Sequence, residues 1–164
     1  MTENKKTEGS GMPEWMGNYP NPSSKKVPVI IKKGDEKPLV YGRGSHLDLS
    51  PVFISTDKVG FFGQYTVPAG EFFDPPDIHP GDECYYCLEG VAHLFDPVHG
   101  EVIVLKPGDA LLIPKGTWHI GFNFGDKPFR LMALVAPSIW SDADGGMGLD
   151  VNFKGKQAFY KGEE

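Results

Sequence analysis

Two short windows of the chain hold side chains whose types and spacing suit metal chemistry. The first runs Asp77-Ile78-His79-Pro80-Gly81-Asp82-Glu83 and continues into CYYCLEG. The second runs from Gly108 to Asn123, GDALLIPKGTWHIGFN, and carries His119. Residues two apart on an extended chain share a face, so Asp77, His79 and Glu83 point the same way if the Pro80-Gly81 bend keeps parity. Neutral imidazoles and a carboxylate make a nitrogen–oxygen site for a first-row divalent cation. Two imidazoles and one carboxylate on one face also leave positions open to substrate, water or dioxygen. The expected cofactor is one divalent transition metal: Fe, Mn, Zn or Ni. Thiolates are not needed. Cys84 and Cys87 lie three apart in what reads as a strand, so they face opposite sides and read as packed, reduced cysteines.

The elements that must position these residues read as strands. From Val27 to Ala136 short apolar runs alternate with turns: VPVII (27–31), PVFIS (51–55), GFFGQYTV (60–67), CYYCLEG (84–90), VAHLF (91–95), EVIVL (101–105), ALLI (110–113), TWHIGFNF (117–124) and FRLMALVA (129–136). The breaks carry turn residues, at Pro68-Ala69-Gly70, Glu89-Gly90, Asp96 to Gly100, Lys106 to Asp109 and Pro114-Lys115-Gly116. With 21 Gly and 15 Pro in 164 residues and no amphipathic helix in this stretch, the chain reads as all-β. Many short strands call for a sandwich or a closed barrel, and an antiparallel jelly-roll barrel removes the exposed edges. Residues 1–26 read as a flexible N-terminal tail anchored by Trp15 and Tyr19, and 27–164 as one domain whose barrel core spans about 50–136. Beyond it, Ser138 to Asp144 is expected to form a helical turn and VNFKGKQAFYKG a last strand.

The two windows resemble the paired motifs of the cupin family. The second motif, G-x5-P-x-G-x2-H-x3-N, is matched at Gly108, Pro114, Gly116, His119 and Asn123. The first, G-x5-H-x-H-x3,4-E-x6-G, is matched at His79, Glu83 and Gly90. It departs at two places: Gly70 lies one residue too far away, and Asp77 stands where the family has the first histidine of H-x-H. The resemblance implies an antiparallel double-stranded β-helix, here with an N-terminal extension, and His79, Glu83 and His119 as metal ligands. Asp77 then has three readings. It coordinates, it serves as a base or hydrogen-bond acceptor behind the ligands, or it is a loop residue of the DPPD turn. As a ligand it brings a second carboxylate, which favours Mn²⁺ or Fe²⁺ and weakens Lewis acidity.

Other side chains are weighed against this set. Tyr85 and Cys87 share parity with Glu83 and face the cavity, whereas Tyr86 faces away. His99 sits in a hairpin loop, His93 on a strand where packing is the expected role, and His46 ahead of the barrel strands. A net charge of −6 with no basic block argues against a nucleic-acid partner. Without an apolar run of membrane-spanning length or a signal-like N-terminus, the chain is expected to be cytoplasmic and away from membranes. The expected partners are a small-molecule substrate and a second copy of the chain, since the resemblance implies a homodimer. Three functions are carried forward. The first is a metal-dependent isomerase or lyase acting on a sugar, keto or hydroxy acid, with Asp77, Glu83 or Tyr85 moving the proton. The second is an Fe(II) dioxygenase, and the third is a cupin that binds a small molecule without turning it over.

Overall fold

The computed structural model describes residues 15–43, 46–72, 77–139 and 158–159. Eleven strands occur among them, and no helix: β1 (Asn18–Tyr19), β2 (Lys37–Arg43), β3 (His46–Thr56), β4 (Phe61–Val67), β5 (Asp82–Glu89), β6 (Ala92–Asp96), β7 (Glu101–Leu105), β8 (Ala110–Ile113), β9 (Ile120–Phe122), β10 (Phe129–Ala136) and β11 (Ala158–Phe159). They form a larger sheet in the order β11-β2-β3-β4-β10-β5-β8, with β1 also paired to β3, and a smaller sheet β7-β6-β9. Every strand pairing is antiparallel. The all-β, double-stranded β-helix reading of the sequence therefore holds. No helix among the described residues is long and apolar enough to cross a membrane.

Period-two alternation decides which side chains meet. In β4 the residues Phe61, Gly63, Tyr65 and Val67 face inward, and in β10 Phe129, Leu131, Ala133 and Val135 do the same. In β5 it is Glu83, Tyr85 and Cys87 that are buried, while Cys84 and Tyr86 are exposed, as parity requires. Leu94 of β6 and Leu105 of β7 close the core from the smaller sheet. Each large apolar side chain sealed this way stabilises the fold by roughly 1.5–3 kcal/mol. The opposite face of the smaller sheet carries a row of rings. Phe122 lies 5.7 Å from Phe72 and 5.4 Å from Phe124, and Phe124 lies 5.0 Å from His93. His93 thus packs against an aromatic ring on the outer surface.

Several sequence expectations change. VPVII (27–31) is not a strand; its Val27 and Ile30 are exposed, and Pro28 removes a ladder donor. The long strands lie instead in β2 and β3, and β3 includes the polar stretch HLDLS that a search for apolar runs passes over. TWHIGFNF shrinks to Ile120–Phe122, because the chain at Trp118 and His119 leaves the ladder to form the site. Ser138 and Ile139 are not helical, and residues 140–144 lie outside the described residues. Of VNFKGKQAFYKG only Ala158–Phe159 is described, paired with β2. At the N-terminal end, residues 1–14 also lie outside the described residues. β1 pairs Asn18 with Thr56, the Gly17 amide donates to Ser55 Oγ at 3.0 Å, and Trp15 meets Tyr19 edge-on at 5.8 Å.

Candidate metal centre

The two motif windows run antiparallel across one end of the barrel, and backbone hydrogen bonds tie them together. Asp77 and His119 exchange a pair, with Asp77 N–H to His119 O at 2.9 Å and His119 N–H to Asp77 O at 3.0 Å. The Gly116 amide donates to His79 O at 2.8 Å, and the Lys115 amide to Asp82 Oδ1 at 2.9 Å. Gly116 holds φ at +75°, a conformation glycine adopts without strain. The Pro114-Lys115-Gly116 turn is therefore gripped from both sides by the segment that carries His79. At the other end of the second window, Asn123 Nδ2 donates to Val67 O and Lys127 O, each at 2.9 Å, and its Oδ1 accepts from the Gly125 amide. Asn123 thus shapes the loop after β9 and anchors the strand that follows His119, which explains an asparagine at that spacing without a role in the chemistry.

Asp77, His79, Glu83 and His119 are all buried. Ligand-capable atoms of Asp77, His79 and His119 lie within 4.8 Å of one another. Glu83 Oε2 lies 2.9 Å from His119 Nε2 and 3.4 Å from His79 Nε2. The rings of His79 and His119 are 5.6 Å apart. Of the three readings of Asp77, a bystander in a solvated turn is hard to reconcile with this placement: the side chain is dry and faces both imidazoles. His46 opens β3, and its side chain lies outside the described residues.

Electrostatics sharpen the picture. His119 Nδ1 lies 3.1 Å from Thr117 O, and a carbonyl only accepts, so Nδ1 carries a proton and Nε2 is the atom turned to Glu83. No well-formed hydrogen bond reaches either Glu83 oxygen or His79 Nε2. Burial works to raise the Glu83 pKa, but His79 and His119 beside it prevail and bring it down to about 2. Burial likewise disfavours charge on His79, yet Glu83 and then Asp77 raise it to about 9. His119 is raised for the same reason, with burial opposing. Two carboxylates and two imidazoles thus converge in a dry space, and the carboxylates call for positive charge. Protons on the imidazoles supply it in part. A divalent cation supplies it with donor atoms of the right kind, two imidazole nitrogens and carboxylate oxygens. The residues present fit such an ion.

Tyr85 is the remaining sequence candidate. Its hydroxyl lies 3.4 Å from His119 Nε2, and burial, with Glu83 next to it, raises its pKa well above the usual range for a phenol. Tyr85 therefore keeps its proton and is a donor at this site. Two contributors carry no functional mark in the sequence: Asp82, whose carboxylate holds the Lys115 amide, and the Thr117 carbonyl, whose backbone atom leaves no mark in residue type.

The double-stranded β-helix and its end-on cluster define the class. Residues 63–135, somewhat under half of the chain, match the family model described as a cupin domain, and the barrel has the cupin fold. Three solved structures illustrate the likeness. A predicted oxalate decarboxylase from Thermotoga maritima aligns with 66% of this chain and 98% of its own at 19% identity and a TM-score of 0.56. The polyketide cyclase RemF from Streptomyces resistomycificus aligns with 73% of this chain and 90% of its own, also at 19% and 0.56. An uncharacterised protein with a double-stranded β-helix domain from Klebsiella pneumoniae aligns with 68% and 92% at 21% and 0.55. At these identities the likeness concerns the fold alone. No curated protein matches the chain in sequence.

Proposed function

We propose that this cupin-fold protein is a metal-dependent enzyme acting on a small oxygenated organic compound by polarisation and proton transfer, a reaction of isomerase or lyase type. The observation that carries the reading is the buried cluster in which Asp77, His79 and His119 bring ligand-capable atoms within 4.8 Å of one another, with Glu83 against both imidazoles. Those four residues would hold the ion. A bound divalent cation supplies Lewis acidity toward a chelating carbonyl or hydroxyl oxygen. Tyr85, its proton retained, donates a hydrogen bond to an oxygen of the substrate placed beside His119. An Asp77 oxygen not engaged by the cation is the base for a proton next to that carbonyl. The hydrogen bonds that Gly116 and Lys115 give to the first window keep the two halves of the site in register, so that donor and base stay fixed relative to one another.

Two imidazoles and a carboxylate also suit Fe²⁺ and dioxygen chemistry, and one experiment separates the readings. Untagged protein purified without added metal is analysed for its elements beside His79→Ala. Near-stoichiometric Mn, Zn or Ni that the variant lacks supports the isomerase or lyase reading. Iron at that level, with oxygen uptake on phenols or diketones, replaces it with a dioxygenase. No metal after reconstitution overturns both and leaves a ligand-binding protein.

A further inference from the structure

Among the described residues no strand pairing joins the two sheets. β8 ends the larger sheet and β7 ends the smaller one, and neither pairs with the other. Between these edges lies a pocket of about 120 Å³. Leu94 and Ile103 line it from the smaller sheet, Leu111 and Ile113 from β8, and Trp118 and His119 from the loop before β9. Register places it beside the metal cluster. Ile113 is paired with Glu83 and Leu111 with Tyr85, so both apolar side chains stand on the same inner face as the carboxylate and the phenol. His119 belongs to both the pocket and the cluster.

The pocket's polar side chains make little demand on a ligand. Asp96 is occupied by its own turn: it accepts from the amides of Val98 at 2.8 Å and His99 at 3.1 Å, and from His99 Nδ1 at 2.6 Å. Thr117 offers one hydroxyl. A hydroxyl-rich group seated there would lose its water without gaining partners, whereas an apolar group loses nothing.

We propose that this pocket receives an apolar substituent of the ligand whose oxygens reach the His79–Glu83–His119–Asp77 cluster. The substrate class is then a keto or hydroxy acid, or a similar chelating compound, bearing a branched alkyl chain or one aromatic ring, and not a free sugar. Size agrees, since apolar cavities of about 150 Å³ take up one benzene molecule and this pocket, open on one side, is slightly smaller. The inference rests on the metal-site reading above.

The test uses full-length protein reconstituted with Zn²⁺ and two chelating probes, acetohydroxamate and benzohydroxamate, measured by calorimetry. The phenyl probe is expected to bind about 10-fold more tightly, in proportion to the apolar surface it buries. Leu111→Trp fills the pocket, and Ile103→Trp does so from the more exposed rim, where the fold is at less risk. In a folded variant the preference should shrink to about 2-fold or less, while Zn²⁺ content and acetohydroxamate affinity stay as in the wild type. Equal affinity of the two probes for the wild type overturns the pocket, and so does a preference that survives both substitutions. In either case Zn²⁺ retention and acetohydroxamate binding leave the metal reading standing. Failure to retain Zn²⁺, or to bind either probe, overturns the metal reading and this inference with it.

Discussion

Strands β5 and β10 lie side by side through the barrel, and their two ends use the same dryness differently. At one end Glu83 is paired with Val135, and at the other Cys87 is paired with Leu131. All four side chains are buried. At the Leu131 end, removal from water is itself the stabilising event, at roughly 25 cal/mol per Å² of apolar surface. At the Glu83 end it is a cost, because an ionised carboxylate has left water and only neighbouring imidazoles offset the loss. One ribbon thus carries a half that makes the barrel and a half that the barrel tolerates. If that division is right, substitutions at the two ends separate stability from metal binding.

The largest effect is expected at the core end. Leu131→Ala should lower unfolding stability by about 2–5 kcal/mol, the range for emptying a well-packed leucine site. Urea unfolding reads this directly, and the folded fraction should still take up metal to the wild-type stoichiometry. A loss below about 1 kcal/mol would mean that this end is not the tightly packed half.

At the other end, His119→Ala should keep the fold and lose the metal. Wild-type protein with free metal at about 100 times its dissociation constant gains about 2.7 kcal/mol, visible as a rise in thermal midpoint. The variant should show no such rise and should hold no ion by elemental analysis. Full metal content in His119→Ala would place the site elsewhere.

The pH dependence of the metal-free protein sharpens the comparison, since the Glu83 end carries the carboxylate and the imidazoles whose titration folding shifts. Glu83 falls from 4.5 to about 2 on folding, so its contribution is present above about 4.5 and is lost as pH drops through about 2. His79 rises from 6.5 to about 9, so its contribution is complete below 6.5 and is lost as pH climbs through about 9. The pair supports the metal-free fold best between 4.5 and 6.5. A cation must displace the imidazole protons, so its stabilisation grows as pH rises from 6.5 toward 9. Thermal midpoints with and without metal should therefore diverge over that interval. Glu83→Gln, which removes the largest of the influences that raise His79 and leaves Asp77, should reduce the metal-free slope. Parallel curves for the wild type would remove Glu83 and His79 from the site.

How much of this was readable beforehand differs between the same two halves. Alternation in FFGQYTV and FRLMALVA announces the inner face, because a strand's period is local and needs only its own residues. The same parity put Glu83, Tyr85 and Cys87 on one side and Tyr86 on the other. His79, Glu83 and His119 were legible through motif spacing. Parity offered Asp77 beside them, but the choice among its three readings was not legible, because it depends on the bridge to His119, a contact between segments more than forty positions apart. The apolar pocket was hidden for the same reason. Ile103 and Leu111 read as ordinary strand residues, and only the missing pairing between β7 and β8 makes a recess of them. VPVII misleads in the opposite direction: apolar residues in a row read as a strand, although apolar composition by itself supplies no pairing partner.

The smallest expected effect lies between the two halves, at Gly116. Its φ of +75° falls in the left-handed region, and a Cβ built there meets nothing within 4 Å. Gly116→Ala therefore costs only the backbone conformation, about 1–2 kcal/mol, with no clash to add. Because its amide donates to His79 O, relaxation of the turn toward negative φ would pull on the loop that carries one imidazole. Two outcomes are distinguishable by denaturation and metal titration on the same sample. A stability loss of about 1 kcal/mol with unchanged metal affinity means that the barrel holds the turn rigidly and the strain stays local. The same loss accompanied by weakened metal binding means that the turn yields, and that the geometry at His79 is set by the second window as much as by its own.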